Sequence, residues 1–361
     1  MIQSSFRFAV IGAGLAGLTA AAELSARGVY VDVFEKSRGV GGRMATRRSG
    51  MSPDASLAAS RAPIWQCDHG APAFAAATAS FRAEVARWEK LDLAARWRPT
   101  GTANELWVGT QTMTAPARSL AASLPRAIYS STTIDTLQRE HQAWRLHSAE
   151  AGWHPEQFDG VILALPAPQA SRLLSTITGA ESPEQSIASH AKRAMEIAHA
   201  IPMSGTWAVI ARFESRVEVT EDLLELSDSP LALAVREASK PARPADEVWL
   251  LHASDAWSDA HIEAQSDRVA DTLLAEFREI SAATASAFQV HRWRYAHAKR
   301  RAVQPVTEPL SQTHSYWDAE IGLGMCGDWL SMQHKAVPGG VEAAWLSGMD
   351  ISRRVTDEVS I

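Results

Sequence analysis

Three glycines and one acid near the N-terminus have the spacing of a dinucleotide-binding site. Gly12, Gly14 and Gly17 form the pattern Gly-x-Gly-x-x-Gly, and Glu35 follows 23 residues after the first of them. In such a site the first glycine permits a tight turn, the second admits a pyrophosphate, and the third lets a helix pack closely. A carboxylate at the position of Glu35 hydrogen-bonds a ribose hydroxyl and repels a 2′-phosphate.

An arginine-rich loop follows this acid. The stretch VFEKSRGVGGRMATRR places Arg43 directly after a pair of glycines and adds Arg47 and Arg48 a few positions later. A loop after the second strand of the site can fold back over the pyrophosphate, and a guanidinium group can bind it with two hydrogen bonds. We expect this role for Arg43, whereas a solvated position is the favoured interpretation for Arg47 and Arg48.

The elements that must position these residues form a βαβ unit. FRFAVIG predicts a buried strand, and LTAAAELSARG predicts an alanine-rich helix that ends at Gly28. VYVDVFE predicts a second strand, in which Val31 and Val33 alternate with Asp32. The helix begins at the glycine turn, so its free N–H groups and positive dipole end would face the phosphates.

Composition limits the class of protein and its partners. The chain has 361 residues, 46% of them hydrophobic and 21% charged, which suits two globular domains. A net charge of -6 argues against a nucleic-acid partner, and no apolar run is long enough to span a membrane. Cys67 and Cys326 are too few for a disulfide framework or a zinc site, so we expect no metal and a cytoplasmic protein.

At GAGLAG and FEKSRGVGGRM the sequence resembles the FAD-dependent oxidoreductases that include the amine oxidases. This resemblance implies FAD as the cofactor. Members of that class close their sheet with a strand ending in Gly-Asp, and IGLGMCGDW supplies Gly327 and Asp328. VPGGVEAAWLSGMDISRRV resembles the last helix of the class, whose start near Gly339 and Gly340 would face the flavin ring. A helix N-terminus there would stabilise the negative charge of the reduced ring.

The cofactor-binding residues that follow from the glycine pattern and from this resemblance are Gly12, Gly14, Leu15, Ala16, Gly17, Glu35, Lys36, Gly42, Arg43, Met44, Gly70, Ala71, Ile134, Gly327, Asp328, Gly340 and Val341. In monoamine oxidases a cysteine near the last helix bonds the flavin. The corresponding segment here, residues 337–340, contains no cysteine, so we expect FAD to be bound non-covalently.

A narrower resemblance, to bacterial renalases, covers about residues 6–354. It is carried by VILALPAPQASRLL, WLLHAS, HRWRYA and CGDW…GGVEAAWLSG. Renalases oxidise isomeric forms of NAD(P)H, and the resemblance implies that hydride passes from such a substrate to FAD and then to O2, giving hydrogen peroxide. The chain departs from the family at Pro72 and Ala73, where renalases have Gln and Tyr, and in a polar insertion near residues 49–63.

The fold class implied is α/β, with a Rossmann-type FAD-binding domain and a discontinuous second α+β substrate domain, as in amine oxidases and p-hydroxybenzoate hydroxylase. We expect residues 1–78, 112–170 and 318–361 in the FAD-binding domain. Residues 79–111 and 171–317 would form the substrate domain. There TWAVIARF, EVWLLHAS and FQVHRWRYA predict strands, and SDAHIEAQSDRVADTLLAEFREI has Ile262, Val269, Leu273 and Phe277 at helical spacing.

The candidate catalytic residues lie in two of these strands. Strand alternation places His291, Trp293 and Tyr295 on one face, where they could stack a planar substrate against the flavin. An aromatic core strand is the alternative. His252 could contact a nicotinamide carboxamide or be a satisfied core histidine. Hydride transfer from a dihydropyridine needs no protein acid or base, so these residues would orient the substrate and exclude water.

Two other functions remain open at this point. One is an amine oxidase or a desaturase of a small secondary metabolite on the same scaffold, in which Lys299 or Lys335 could serve as the lysine near the flavin. The other is an FAD-binding protein without turnover.

Overall fold

The computed structural model describes residues 6–49, 65–179, 187–299, 313–331 and 340–359. The helices in these ranges are α1 (Leu15–Ala26), α2 (Ala79–Lys90), α3 (Ala115–Ser123), α4 (Ala167–Leu174), α5 (Ile187–His199), α6 (Asp255–Ala260), α7 (Ser266–Ser281), α8 (Asp328–Ser331) and α9 (Gly340–Val359). Short 3-10 helices cover Gly42–Met44 and Glu237–Ser239. Most of the insertion near 49–63, the segment 337–339 and Lys335 lie outside the described residues.

A six-stranded sheet carries the glycine turn. Its strands, in spatial order, are β18 (Tyr316–Asp318), β19 (Leu323–Met325), β11 (Gly160–Leu163), β1 (Arg7–Ile11), β2 (Tyr30–Glu35) and β7 (Ile128–Ser130). All neighbours pair in parallel except β18, which runs antiparallel to β19. The carboxyl ends of β1, β2 and β11 therefore meet at one edge, which is where ligands bind in open α/β sheets.

Both faces of β2 are buried, although its sequence alternates apolar valines with the charged residue Asp32. Asp32 has no exposed surface, and the neighbouring positions Val31 and Val33 are also buried. Arg126 binds its carboxylate with Nε and NH2, so the charge is compensated inside the protein. Alternation of residue types was a poor guide here because parallel sheets are covered on both sides.

A second sheet of five strands is antiparallel. Its order is β14 (Leu223–Glu225), β15 (Leu231–Arg236), β16 (Val248–Ala253), β13 (Met203–Arg212) and β17 (Ala287–Ala298). On one face, α7 buries Val269, Leu273 and Phe277 against Trp249. The helical spacing predicted this face correctly, but Ile262 lies in the turn between α6 and α7.

Three smaller sheets complete the described strands. β3 (Thr46–Arg48) pairs with β4 (Gln66–Asp68), and β5 (Ala94–Trp97) pairs with β6 (Leu106–Gly109). The remaining sheet has the order β10 (Gly152–Trp153), β9 (Ala143–Ser148), β8 (Ile134–Glu140) and β12 (Thr178–Gly179).

One hydrophobic cluster joins the glycine turn to the second sheet. It contains Leu15 of α1, Met44 of the 3-10 helix, Trp345 of α9, and Ile210 and Leu250 of the antiparallel sheet. Burying such side chains contributes about 1.5–3 kcal/mol each. The two sheets are therefore packed through a common core.

The fold class and the two units predicted from the sequence are confirmed: a Rossmann-type α/β sheet is joined to a second unit built on an antiparallel sheet. No helix in the described ranges is both long and apolar enough to cross a lipid bilayer.

Candidate active site

The glycine turn after β1 has the backbone geometry that its sequence requires. Gly12 has a φ of +110°, and a Cβ atom there would lie 2.4 Å from the carbonyl oxygen of Ala164. A Cβ atom at Gly17 would lie 2.1 Å from the carbonyl oxygen of Gly12, so only glycine lets α1 approach the strand. Gly14 differs, because a Cβ atom there would meet nothing within 4 Å. Its surface therefore opens into free space.

The start of α1 faces this space. Gly14 is the N-cap residue, and no side chain caps the helix. The N–H groups of the first turn, at Leu15, Ala16 and Gly17, have no carbonyl of the helix to bind. Such a helix end, with its positive dipole, suits an anionic group such as a pyrophosphate.

Glu35 holds the turn at the end of β2. Its carboxylate accepts hydrogen bonds from the backbone N–H groups of Ala13 and Ser37, each 2.8 Å long. Only 8% of Glu35 is exposed, so its two oxygens stay aimed at the edge of the sheet. Each oxygen retains a second lone pair that a ribose hydroxyl could use.

The loop with the paired glycines lies against this turn. The backbone N–H of Gly41 donates to the carbonyl oxygen of Ala13 at 2.8 Å, and Gly41 has a φ of +108°. A Cβ atom at Gly42 would lie 3.3 Å from the Cα of Gly14. The loop therefore folds back over the glycine turn, as the sequence predicted.

Arg43 and Asp328 bind each other. The guanidinium group donates from NH2 to Oδ1 at 2.6 Å and from NH1 to Oδ2 at 2.7 Å, and NH1 also reaches the carbonyl oxygen of Ala296. Burial by itself would lower the pKa of Arg43, but the charge and hydrogen bonds of Asp328 raise it. A Cβ atom at Gly340 would lie 3.4 Å from Asp328, so the start of α9 is close by.

The carbonyl oxygen of His69, directly after β4, is bound by two strands of the antiparallel sheet, β16 and β17. It accepts hydrogen bonds from Nε1 of Trp293 and from Nε2 of His252, both at 3.0 Å. A Cβ atom at the next residue, Gly70, would lie 3.1 Å from the Trp293 ring and 2.1 Å from the carbonyl oxygen of Arg43. Gly70 thus lets the indole approach the loop that contains Gly42 and Arg43.

Three rings form a wall at this point. The ring centre of His291 is 4.7 Å from that of His69 and 4.4 Å from that of Trp293, and the latter two are 4.9 Å apart. Nδ1 of His291 contacts NH1 of Arg47 at 3.1 Å. We call His69, His291, Trp293 and Arg47 the ring wall.

Histidines in and beside the ring wall are held neutral. Burial is the main cause that lowers the pKa of His69 to about 3 and those of His252 and His291 to about 4. The charge of Arg47 lowers the pKa values of His69 and His291 further. At neutral pH these imidazoles therefore act as uncharged hydrogen-bonding groups.

A buried ionic cluster supports the segment before His69. The carboxylate of Asp68 accepts from Nζ of Lys240 at 3.1 Å and from NH2 of Arg243 at 2.6 Å. Glu237 binds the same two cations at 2.7 and 2.9 Å. Burial and the charge of Asp68 raise the pKa of Glu237, whereas Lys240 and Arg243 overcome burial and lower that of Asp68. These contacts fix β4 to the 3-10 helix at Glu237–Ser239.

The predicted face of β17 is only partly correct. His291 and Trp293 share it, but the pairing with β13 then shifts from Thr206–Trp293 to Ser204–His297. This bulge interrupts regular alternation. Within the described residues no ring contact or hydrogen bond joins Tyr295 to the ring wall.

Arg47 also differs from expectation, because it is not simply solvated. It is partly buried, and its Nε donates to Oε1 of Gln289 at 3.0 Å in addition to the contact with His291. Arg48 is exposed, as predicted. His69 was missed by sequence reasoning, although its position directly before the expected cofactor residue Gly70 was an available signal.

The other residues predicted to bind the cofactor or the flavin occupy varied environments. Met44, Ile134 and Val341 are buried in hydrophobic clusters. Ala71 donates its N–H to the carbonyl oxygen of Arg43, and Gly327 donates its own to Oγ of Ser347. Lys36 is exposed. Lys299 is also exposed and forms an ion pair with Asp259 at 2.7 Å.

Comparison with protein families identifies this arrangement. Residues 66–356 match the model described as flavin containing amine oxidoreductase, and residues 10–88 match the model of an NAD(P)-binding Rossmann-like domain. The chain belongs to the flavin-containing amine oxidoreductase family. It is a FAD-dependent oxidoreductase that acts on a small-molecule substrate.

Solved structures share the fold at low sequence identity. One, described as a protoporphyrinogen oxidase from Exiguobacterium sp. 255-15, has a TM-score of 0.62 and 13% identity, with 99% of this chain and 100% of that chain covered. An engineered triple mutant of putrescine oxidase has a TM-score of 0.66 and 11% identity, with coverages of 98% and 99%. Wild-type putrescine oxidase with putrescine bound has a TM-score of 0.61 and 12% identity, with the same coverages.

The geometry around the glycine turn fits the FAD that this family binds. The open surface at Gly14, the uncapped start of α1 and the carboxylate of Glu35 lie together at the carboxyl edge of the sheet. The described residues contain no group of three or more His, Cys, Asp or Glu side chains placed to hold a metal ion.

Proposed function

We propose that this flavoprotein oxidises planar dihydro-heterocycles, with isomeric dihydronicotinamides as its substrate class, and passes the electrons to O2. The observation that carries the proposal is the ring wall beside Gly70. It presents an indole and two neutral imidazoles next to the loop that would border the flavin. A planar ring can pack between such a wall and a second planar ring.

The residues that would hold FAD fall into three groups along the carboxyl edge of the six-stranded sheet. Glu35 would bind the ribose, and Gly14 with the first turn of α1 would hold the pyrophosphate. The pair of Arg43 and Asp328, next to the start of α9, would border the ribityl chain and the ring. Residues 1–78, 112–170 and 318–361 would form this FAD-binding domain, with the rest of the chain as the substrate domain.

The chemistry needs a hydride acceptor, which FAD supplies when bound, and O2 accepts the same two electrons to give hydrogen peroxide. The ring nitrogen of a dihydropyridine drives loss of hydride, so the protein need not transfer a proton. Trp293, His69 and His291 would instead orient the substrate ring. They would also exclude water from the reacting atoms, which is how a reaction without acid or base catalysis is accelerated.

The uncharged state of the histidines suits this role. Because burial keeps the pKa of each far below neutrality, the imidazoles can donate and accept hydrogen bonds with a carboxamide without changing charge. His252 lies behind His69 and would hold its backbone in place rather than contact the substrate.

The test is anaerobic mixing of the FAD-loaded protein with isomeric NAD(P)H in a stopped-flow instrument. We expect the visible absorbance of the flavin to bleach within seconds and to return when O2 is admitted, with one H2O2 formed per substrate. Ordinary NADH, reduced at the usual ring carbon, is the matched control and should react more slowly. Bleaching by a panel of amines, but not by the isomers, would instead favour amine oxidation. Bleaching by neither would favour an FAD-binding protein without turnover.

A further inference from the structure

Arg47 brings a positive charge to the ring wall. It lies in the centre of β3 opposite Cys67 of β4, so its side chain leaves the hairpin on the face opposite to that of Arg48. The guanidinium group contacts Oε1 of Gln289 and Nδ1 of His291. Both partners are uncharged.

No carboxylate among the described residues pairs with Arg47. Other arginines near the site are compensated: Arg43 binds Asp328, and Arg243 binds Asp68 and Glu237. These three acids are thus already bound to other cations. Arg47 is partly buried, and that burial lowers its pKa from the ordinary value, yet an arginine stays protonated in a protein.

Arg47 is a partly desolvated cation with no counterion in the part of the chain that the structure describes, and such a cation attracts an anion. Removing a guanidinium group from water is unfavourable, and the cost is recovered when an oxyanion binds it through a charge-assisted pair of hydrogen bonds. The neighbouring imidazoles are neutral and supply no negative charge. A protonated amine entering the same space would meet a like charge at short range.

We propose that Arg47 binds an oxyanion of the substrate, so that the site accepts anionic or neutral planar molecules and rejects protonated amines. This inference rests on the proposed function, because it assigns the charge of the molecule that packs on the ring wall. The oxyanion could be a carboxylate on the planar ring or a phosphate of a nucleotide attached to it. Both have the same chemistry toward a guanidinium group.

A series of three ligands of one shape tests the charge preference without turnover. Benzoate, benzamide and benzylamine differ mainly in charge, and their binding to the FAD-loaded protein can be followed by the change in flavin absorbance. For the wild-type protein we expect benzoate to bind most tightly and benzylamine most weakly, with about a tenfold range between them. Benzylamine binding as tightly as benzoate would overturn the proposal.

The substitution Arg47→Gln tests the charge of Arg47 by removing it. Arg48→Gln is the matched control on the other face of the hairpin. Arg47→Gln should weaken benzoate binding about tenfold and leave benzamide binding unchanged, because a neutral ligand loses no ion pair. Arg47→Lys should keep part of the preference for benzoate over benzylamine, because lysine keeps the positive charge. Equal weakening of all three ligands by Arg47→Gln would show a merely structural role and would contradict the proposal. If Arg47→Gln does not retain FAD, the wild-type series and Arg47→Lys still decide the question.

A second pair of substrates distinguishes the two sources of the oxyanion. Isomeric NADH carries a pyrophosphate, whereas the isomeric dihydronicotinamide riboside does not. If Arg47 binds phosphate, Arg47→Gln should lower kcat/KM about tenfold for the dinucleotide alone; if it binds a ring carboxylate, only benzoate binding should change. A wild-type protein that oxidises neither nicotinamide would contradict the proposed function, while the benzoate series would still test the role of Arg47.

Discussion

Nε1 of Trp293 donates a hydrogen bond of 3.0 Å to the carbonyl oxygen of His69, and these two residues are 224 positions apart in the chain. The bond joins the edge strand of the antiparallel sheet to the loop that leads into Gly70. Because His252 donates to the same oxygen, the backbone before Gly70 is held from two directions. The position of the indole relative to the loop that contains Gly42 and Arg43 is therefore set by the fold.

Replacing the indole tests whether this wall orients the substrate. Trp293→Ala removes the largest surface of the ring wall, so we expect kcat/KM to fall by about tenfold or more while the ratio of FAD to protein stays the same. Trp293→Phe keeps a ring and should retain most of the activity. Steady-state O2 consumption measures kcat/KM, and flavin absorbance measures the ratio of FAD to protein. Trp153→Ala, at an exposed position in β10, is the control. Equal activity of Trp293→Ala and Trp153→Ala would show that the indole of Trp293 does not contact the substrate.

Glu35 should control the affinity for FAD. Glu35→Ala deletes the acceptor of two backbone hydrogen bonds, from Ala13 and Ser37, and deletes the expected ribose ligand. We expect the dissociation constant of FAD to rise about tenfold or more, because the ribose would lose a hydrogen bond to a charged group, which is worth about 1.5–3 kcal/mol. Quenching of flavin fluorescence by the apoprotein gives this constant. Glu23→Ala, on α1 away from the turn, should leave the dissociation constant of FAD unchanged. An unchanged constant in Glu35→Ala would exclude a role of Glu35 in binding FAD.

The buried histidines should make stability depend on pH. Their pKa values in the folded protein, about 3 for His69 and about 4 for His291, lie below the ordinary value of 6.5. The unfolded chain therefore binds more protons between these values, so stability is complete above pH 6.5 and is lost as the pH falls toward 4. Each histidine contributes up to about 1.4 kcal/mol per pH unit in this window.

Urea denaturation at several pH values measures this dependence. His291→Asn removes one titrating group while keeping a hydrogen-bonding side chain, so the free energy of unfolding should fall less steeply below pH 6.5. His141→Asn, at an exposed turn between β8 and β9, should keep the wild-type slope. Identical slopes for the two variants would mean that His291 is not held neutral by burial.

Lys240 should be essential for the stability of the ionic cluster. Lys240→Met leaves Asp68 and Glu237 with Arg243 as their remaining cation, and a buried charge without its partner costs about 3–5 kcal/mol. We expect a loss of this size in the free energy of unfolding, measured in urea. Lys90→Met, at the exposed end of α2, should change it little. Adding Glu237→Gln to Lys240→Met should restore part of the loss, and a loss below about 1 kcal/mol would show that the cluster is weakly coupled.

Local constraints made the cofactor half of the site predictable. Gly12 needs a positive φ and Gly17 needs a missing Cβ, and both needs follow from a tight turn between a strand and a helix. Glu35 ends the next strand of the same unit, so its distance from the turn is set by a short stretch of chain. The return of the arginine-rich loop to this turn was predicted for the same reason.

The substrate half was less predictable because its geometry depends on pairing between distant strands. The pairing of β17 with β13 shifts between Trp293 and His297, so regular alternation does not carry the face of His291 and Trp293 on to Tyr295. Arg47 was read as solvated because nothing near it in sequence shows that Gln289 and His291 lie within reach.

The sequence by itself determined the βαβ unit, its glycine turn and the acid that faces it, because steric limits on φ and the spacing of residues act within a few dozen positions. Only the tertiary structure decided which charges are compensated. It pairs Arg43 with Asp328 across 285 positions and brings Arg47 to neutral partners. Coulomb energy and desolvation depend on distance and burial in three dimensions, and the order of residues along the chain does not specify either.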